Sequence, residues 1–350
     1  MPETKTSRKH IAVLAFPFGT HAAPLLSFVR RISEAASDVK FSFFNTAQSN
    51  ALLFSNGGEF ERVKFHDVES GLPDGYVFSK SHPNEPVEYF LKATPGNFER
   101  AMEIVVAETG VEFSCLISDA FIWFAAEMAE KRRVPWIPLW TSASRSLLVH
   151  LDTDNLRERL GINGPGEQTL VFFPGFSSIR AMDLPEGTIS GPLDEGVPVL
   201  LHKVGQILPK AAAVASNSFE EIDLPDVNTL MKSRLPNFLN IGPFTLTSPP
   251  PPDSDKNGCL EWLEKREKLS VAYISFGSMI QLPPPELTAL AEALEASGAI
   301  KALEVILCSE QGKIMREKIA VLKQLAFQAV ESEGSSTANF KTVMEVITKT

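Results

Sequence analysis

Two kinds of hydrophobic pattern alternate along the first two thirds of the chain. Short apolar runs rich in β-branched and aromatic residues are typical of strands that are buried on both faces. Between them, apolar side chains recur every three or four positions, as Leu25, Leu26, Val29 and Ile32 do, which is typical of helices. We predict helices over Ala22–Ala36 and Asn97–Glu108, and strands over Ile11–Phe16, Lys40–Asn45, Val63–Phe65, Ser114–Ser118, Trp136–Leu139, Ala213–Asn217 and Val271–Phe276. This alternation predicts an α/β fold with a doubly wound parallel sheet over residues 1–248.

The clearest break in this pattern is a run of four prolines, Pro249–Pro252. Because proline has no backbone N–H and favours an extended conformation, the run belongs to neither a helix nor the interior of a sheet. We therefore predict a linker over residues 249–256 and a second domain over residues 257–350. A rigid surface loop within one domain is the alternative interpretation.

The second domain has one predicted strand among several predicted helices. Helical spacing covers Pro285–Ser297, Lys313–Val330 and Phe340–Ile347, and residues 299–307 fit a helix at least as well as a strand. A lone strand cannot form a sheet. Either this segment packs on the first domain, for instance through a helix over residues 340–348 that docks there, or a block of strands and helices is absent from it.

Charge and cysteine content narrow the class of protein. The chain has 33 Lys and Arg against 43 Asp and Glu, a net charge of −10, which argues against nucleic acid or an anionic membrane surface as partner. Its three cysteines lie far apart, and its first residues lack the apolar stretch of a signal peptide. No apolar run reaches the ~20 residues that span a bilayer. We expect a cytoplasmic protein without a nucleic-acid partner, membrane insertion or a bound metal.

A histidine follows the first predicted strand closely. Gly19 permits a tight turn after that strand, and His21 stands at the start of the next predicted helix. In open α/β sheets, the loops at the carboxyl ends of the strands form the ligand crevice, so an imidazole placed there is suited to act as a general base. The alternative, which the sequence leaves open, is that His21 only caps the helix.

A carboxylate, Asp119, ends another predicted strand in the segment LISDAF. Because the carboxyl ends of parallel strands face one crevice, we expect Asp119 to be able to meet His21, fix the tautomer of its ring and stabilise the imidazolium. An ordinary helix cap is the alternative for Asp119. The phenylalanines beside the two strand ends, whose faces suit a planar ligand, are Phe16, Phe18, Phe121 and Phe124.

Other catalytic motifs are absent or weak. The sequence contains no GxxxxGK[ST] phosphate loop, no GxGxxG after the first strand, no HExxH and no GxSxG. A D-x-D at Asp152–Asp154 is a pattern that holds a metal-bound nucleotide in some enzymes. We interpret it here as the solvated start of a helix.

Five segments resemble one enzyme family. FPFGTHAAPLL with His21, LISDAF with Asp119, PWIPLWTSASRSL, FLNIGPF, and YISFGS with its Pro-rich turn are similar to the plant family-1 UDP-sugar glycosyltransferases. They look most like the flavonoid and anthocyanidin 3-O-glycosyltransferases. The resemblance runs from about His10 to Gly298 and resumes over Gln311–Ile347.

This resemblance implies the GT-B fold, with an acceptor-binding N-terminal domain and a Rossmann-like C-terminal domain that holds a UDP-sugar. It implies that His21 removes the proton of the acceptor 3-hydroxyl, with Asp119 as its charge partner, in an inverting displacement that uses a UDP-sugar as co-substrate and no metal or other cofactor. By the same resemblance, Gly19, Asn84 and His150 bind the flavonoid acceptor, and Thr20, Thr141 and Ser278 bind the donor. Phe121, one of the phenylalanines beside the strand ends, is also predicted to bind the acceptor.

The chain departs from this family in its C-terminal part. The family's donor signature runs from W-x-P-Q through H-C-G-W-N-S to a terminal D-Q, and none of it is present, since Trp262 is the last tryptophan and His202 the last histidine. The gap coincides with the block of strands and helices that the hydrophobic pattern lacks. We therefore expect a glycosyltransferase with a truncated donor-binding domain and impaired activity.

Two alternatives to such an enzyme stay open. One is a non-catalytic protein that binds flavonoids or pairs with an intact homologue. The other is a hydrolase that combines His21 and Asp119 with a serine such as Ser118 or Ser142, although no nucleophile-elbow sequence supports it.

Overall fold

The computed structural model describes residues 9–54, 61–79, 81–164, 166–185, 187–193, 196–248, 255, 257–267, 270–271, 273–275, 283–296 and 299–349. For residues 54, 295–296 and 299–303 it describes the backbone only. These residues form two compact units. One consists of residues 9–248 together with 328–349, and the other of residues 255–327.

The first unit is built on a sheet of seven parallel strands. The strands are β1 (His10–Leu14), β2 (Lys40–Asn45), β3 (Val63–Asp67), β4 (Cys115–Asp119), β5 (Trp136–Trp140), β6 (Val214–Ser216) and β7 (Phe238–Asn240). Their order in the sheet is β3-β2-β1-β4-β5-β6-β7, so the winding direction changes between β1 and β4. Open α/β sheets bind ligands at such a switch point.

Six of these strands lie where the sequence predicts them, with ends that differ by at most two residues. The seventh, β7, was not predicted, because its three residues are too few to give a periodic signal. It extends the sheet through β6, with Val214 paired to Phe238. The predicted strand Val271–Phe276 lies partly outside the described residues, and Val271 and Tyr273–Ser275, which are described, are not in a strand.

Helices connect the strands of the first unit. They are α1 (Ala22–Ala35), α2 (Ala47–Phe54), α3 (Glu85–Thr109), α4 (Ala125–Arg132), α5 (Ser144–Leu151), α6 (Thr153–Leu160), α7 (Gly196–Ile207), α8 (Pro225–Arg234) and α9 (Phe244–Thr247). Three short 3₁₀ turns cover Ala181–Asp183, Leu208–Lys210 and Glu220–Ile222.

The C-terminal part of the chain is helical. Its helices are α10 (Cys259–Glu264), α11 (Pro284–Ala296), α12 (Ala299–Cys308), α13 (Glu310–Val330) and α14 (Ser335–Thr348). The strand alternative for residues 299–307 is therefore wrong. Residues 328–349, which the predicted second domain included, group with the first unit instead. Of the predicted linker 249–256, the structure describes Asp255 alone.

Apolar side chains cover both faces of the sheet, as a doubly wound fold requires. On β1, Ile11 and Val13 join one hydrophobic cluster, and Ala12 and Leu14 join the other. The first cluster is completed by residues of α1 and α14, namely Leu25, Phe28, Val29, Ile32, Phe340, Val343 and Ile347. The second is completed by residues of α3, α4, α5 and α7, including Phe90, Phe98, Met102, Met128, Leu147, Leu148 and Val204.

Helix α3 is longer than the sequence predicts. It begins at Glu85 rather than Asn97 and continues through Pro95, which has no N–H to donate. Phe90 and Phe98, on either side of the proline, are both buried in the same cluster, and this packing outweighs the interruption. Among the described helices, none combines the length and the hydropathy needed to cross a bilayer.

Candidate active site

His21 lies just beyond the carboxyl end of β1, in the turn that leads into α1. Gly19 has φ +61°, in the left-handed region that suits glycine. The N–H of His21 donates to the C=O of Phe18 (3.5 Å), and its own C=O accepts the N–H of Leu25 (3.5 Å). The side chain of His21 makes no cap hydrogen bond, so the imidazole does not serve the helix as a cap.

The imidazole instead contacts Asp119, the last residue of β4. Because β4 is the neighbour of β1, the two strands deliver His21 and Asp119 to one edge of the sheet. Nδ1 of His21 lies 2.8 Å from Oδ2 of Asp119, and Oδ1 of Asp119 accepts the N–H of Phe121 at 2.8 Å. The Asp119 side chain is 1% exposed and that of His21 is 22% exposed, so a buried carboxylate holds an imidazole that solutes can reach.

This geometry determines which nitrogen of His21 can act as a base. An ionised carboxylate only accepts hydrogen bonds, so Nδ1 of the neutral ring carries the hydrogen. Nε2 is then the nitrogen with a free lone pair, able to take a proton from a ligand. A positive charge that develops on the ring is stabilised by Asp119 at hydrogen-bond distance.

Aromatic rings pack around His21. The ring of Phe121 lies 4.5 Å from it between centroids, and the ring of Phe16 lies 5.1 Å from it. Phe16 in turn meets Phe18 and Phe90 edge to face, at 5.2 and 5.9 Å. The imidazole of His21 therefore lies beside apolar rings of the kind that hold a planar organic ligand.

The rings of Phe16, Phe18, Phe90, Phe121 and Trp140 form a group that we call the aromatic wall. Two of its members, Phe90 and Trp140, were not predicted from the sequence. Trp140 ends β5 and lies 6.0 Å from Phe121, so its place just after a predicted strand was the signal. Phe90 lies before the predicted start of α3. Phe124, which the sequence grouped with the wall, instead contacts Phe98 at 6.3 Å in the core.

His150 joins the wall through Trp140, with ring centroids 6.0 Å apart. It lies on α5, is 7% exposed, and lines a small cavity together with Thr188 and Leu201. Loss of hydration on burial lowers the pKa of His150 to about 4. The ring is therefore neutral at neutral pH, with one nitrogen able to donate a hydrogen bond and one able to accept.

The remaining predicted site residues lie at several places. Thr20 is exposed in the turn before His21, and Thr141 is half-buried directly after β5, the strand that pairs with β4. Asn84 is exposed at the start of α3, where it lines a groove of about 390 Å³. Ser278 lies outside the described residues.

The structure gives no support to a hydrolase that uses Ser118 or to a metal-binding D-x-D. The hydroxyl of Ser118 is buried and accepts the indole N–H of Trp136 at 2.9 Å. Asp152 pairs with Arg234 at 2.7 Å. Within the part of the chain that the structure describes, no group of three His, Cys, Asp or Glu side chains could hold a metal ion.

The chain is similar in sequence to curated plant glycosyltransferases. No family model matches the sequence. The chain is 48% identical over 297 residues to the anthocyanidin 3-O-glucosyltransferase UFGT of Vitis vinifera, an alignment that covers 83% of this chain and 65% of that protein. The chain is 38% identical over 442 residues to a flavonoid 3-O-glucosyltransferase of Medicago truncatula, covering 97% of each. Because this chain has 350 residues, that relative contains a stretch with no counterpart here.

A solved structure gives the same result at the level of the fold. The crystal structure of a UDP-glucose: anthocyanidin 3-O-glucosyltransferase in complex with UDP superimposes with a TM-score of 0.89 at 27% identity, covering 98% of this chain and 99% of that one. The fold is therefore of the GT-B type found in plant glycosyltransferases. Together with the sequence identities above, this structural similarity shows that the chain belongs to the plant UDP-glycosyltransferases, among the flavonoid and anthocyanidin 3-O-glycosyltransferases.

Proposed function

We propose that this protein binds a flavonol or anthocyanidin at the His21 site and transfers a sugar to its 3-hydroxyl from a UDP-sugar, with an impaired transfer step. Residues 1–248 act as the acceptor-binding domain, 249–256 as a linker, and the residues from 257 as the remnant of a donor-binding domain. The observation that carries this proposal is the 2.8 Å hydrogen bond between His21 and Asp119 at the switch point of the sheet.

In the proposed reaction, Nε2 of His21 removes the proton of the acceptor 3-hydroxyl. The oxygen attacks the anomeric carbon of the sugar, the bond from that carbon to the diphosphate breaks, and its electron pair leaves with UDP. Attack from the face opposite the leaving group inverts the configuration. Asp119 stabilises the imidazolium as it forms, and a base placed in this way contributes about 10²–10⁴-fold to a rate.

The acceptor is proposed to lie against the aromatic wall. Phe121 and Phe16 flank His21 at 4.5 and 5.1 Å, and flat rings of this kind suit a flavonoid. Gly19 is assigned to the acceptor site as well, and His150 and Asn84 supply polar contacts to hydroxyl groups. The donor contacts are assigned to Thr20, Thr141 and Ser278.

The proposed impairment of the sugar-transfer step follows from the missing donor signature. Holding two substrates in a reactive arrangement supplies effective molarities of about 10⁵–10⁸ M, more than a base contributes. The family's donor signature is missing from the sequence, and no strand is formed by the described residues of the second unit. The base is then left without a firmly held sugar donor.

The same observation favours one alternative function. A chain that keeps an acceptor site and lacks the donor signature can act as a flavonoid-binding protein, or as a partner of an intact homologue. In either case we propose a cytoplasmic location, because unpaired cysteines, two of them exposed, fit a reducing compartment.

Calorimetric titrations and a single-turnover assay test these proposals. We expect quercetin to bind, and UDP-glucose to bind more weakly than about 1 mM. With protein in excess over quercetin, mass spectrometry is expected to detect slow formation of a 3-O-glucoside, lost in His21→Ala and kept in the matched control His202→Ala.

Each outcome of these experiments separates the possibilities. Micromolar binding of UDP-glucose with fast turnover would contradict the impairment. Product that persists in His21→Ala would contradict the assigned base. Quercetin binding without any product would favour the flavonoid-binding protein, and absence of quercetin binding would refute both the sugar transfer and the flavonoid-binding protein.

A further inference from the structure

A second cavity lies at the amino-terminal edge of the sheet, the edge opposite His21. Its volume is about 670 Å³, within the range of small-molecule sites. The first residues of three adjacent strands, His10, Lys40 and Val63, line it together with Val105 and Thr109 of α3. No residue of the His21 site lines it.

The charge on this cavity contrasts with that of the chain. Its lining includes four cationic side chains and one carboxylate, Lys9, Lys40, Arg62, Lys64 and Glu61, whereas the whole chain carries a net charge of −10. A local excess of positive charge raises the local concentration of anions. The cavity is therefore suited to an anion although the protein as a whole repels one.

Two of the cations are held in place. Nζ of Lys9 donates to the C=O of Ile347 at 3.0 Å, at the end of α14, and Nη1 of Arg62 donates to the C=O of Ser33 at 2.6 Å, near the end of α1. Cations fixed by such bonds lose little conformational freedom when a ligand arrives.

The other two cations are more accessible. Lys40 is exposed, and Lys64 is 67% exposed with a loose ion pair to Glu108 at 3.7 Å. An exposed pair of this kind is weak. Lys40 and Lys64 can therefore turn toward a ligand at the rim.

The floor of the cavity is uncharged. Its inner lining includes Phe41, Val63 and Val105, whose side chains belong to the two hydrophobic clusters beside the sheet. His10 is also buried, with Nε2 at 3.0 Å from the hydroxyl of Ser42, and loss of hydration is the main cause that lowers the pKa of His10, with the charge of Lys40 adding to it. A neutral, largely apolar floor under a cationic rim fits a ligand with an apolar body and one anionic group.

We propose that this cavity binds a small organic monoanion with an apolar ring system, such as an aromatic carboxylate, with its rings in the uncharged inner part of the cavity and its carboxylate at Lys40 and Lys64. The site is separate from the His21 site, and the proposal does not rest on the transferase function.

Titration of the full chain with 2-naphthoate and with its uncharged isostere 2-naphthamide tests this site. We expect 2-naphthoate to bind at least about fivefold more tightly than the amide, and added salt to reduce the difference. Lys40→Ala and Lys64→Ala are each expected to weaken 2-naphthoate about two- to fivefold. Both side chains are exposed, so neither variant disturbs the core. Lys92→Ala, an exposed lysine on α3 about 20 Å along the helix from Val105, is the matched control and is expected to leave binding unchanged.

The site is also expected to be independent of the flavonoid. Saturation with quercetin should leave the affinity for 2-naphthoate unchanged. Equal affinity for acid and amide, unchanged affinity in both lysine variants, or displacement by quercetin would each overturn the proposal.

Discussion

Replacement of Asp119 by asparagine tests the role of the carboxylate without changing the size of the side chain. In the wild type, the 2.8 Å contact to a nearly fully buried carboxylate fixes the hydrogen on Nδ1 of His21. A hydrogen bond to a charged group contributes about 1.5–3 kcal/mol, which corresponds to a preference of about 10- to 150-fold for this tautomer. In Asp119→Asn, the amide N–H₂ can donate to Nδ1, and the hydrogen of the ring then moves to Nε2.

Two measurements detect this change. Nitrogen-15 NMR of the imidazole is expected to show hydrogen on Nδ1 in the wild type and a population shifted to Nε2 in Asp119→Asn, a readout that does not depend on a bound donor. Because the Nε2–H tautomer cannot accept a proton, the single-turnover rate of glucoside formation is expected to fall about 10²–10³-fold. Quercetin affinity should change less than about twofold, since Asp119 is buried behind His21.

The reasoning would be refuted by an unchanged tautomer in Asp119→Asn, or by a rate within about threefold of the wild type while His21→Ala removes it. Either result would mean that Asp119 supports only the turn through its bond to the Phe121 N–H. Asp154→Asn, which changes an exposed carboxylate on α6, serves as the matched control for both measurements.

Three further predictions concern binding and stability. Phe121→Ala removes the ring closest to His21 and is expected to weaken quercetin binding about two- to tenfold in a calorimetric titration, and an unchanged affinity would place the acceptor elsewhere. Because burial lowers the pKa of His150 to about 4 from 6.5, the folded chain binds fewer protons than the unfolded one. The contribution of His150 to the free energy of unfolding is therefore greatest above pH 6.5, and it decreases by about 3 kcal/mol as the pH falls to 4. Urea unfolding of His150→Gln should show a shallower pH dependence across this window, and an equal slope would contradict the shift. Ile347→Ala, at a fully buried position of α14, is expected to reduce the free energy of unfolding by about 2–5 kcal/mol, whereas the exposed Lys341→Ala should change it by less than about 0.5 kcal/mol.

The sequence predicts six strands of the sheet well and misses the edge strand β7. Nearly all residues of strands β1, β2, β4 and β5 are buried and most of them are apolar, so these strands are recognisable as hydrophobic runs. Strand β7 has three residues and is recognised only by its pairing with β6. The first half of α3 could not be predicted, because a proline such as Pro95 normally ends a helix. The helix continues through Pro95 because Phe90 and Phe98 are buried, and local propensity does not include such tertiary packing.

The candidate site could be predicted where it depends on topology. His21 and Asp119 follow two strands that are neighbours at the switch point, so a parallel sheet is enough to bring them together. The contribution of Phe90 depends on how α3 packs across the sheet, and no pattern along the chain specifies that contact. Ser278 lies outside the described residues, so its predicted role stays a prediction.

The two units are expected to respond differently to protease. The first unit covers both faces of its sheet with its own helices, and α14 is fixed by the guanidinium of Arg31 at 4.0 Å over the ring of Phe340 and by Lys9 at its C-terminus. In the second unit, large apolar side chains such as Tyr273 and Ile319 are 89% and 65% exposed, and segments with few buried contacts open most readily. Brief digestion with trypsin should therefore cut first within residues 257–327, and the C-terminal peptide that carries α14 should still co-elute with the N-terminal fragment in size exclusion. Early cleavage within the strands and helices of residues 9–248, or separation of that peptide, would show that the first unit depends on the second for its stability.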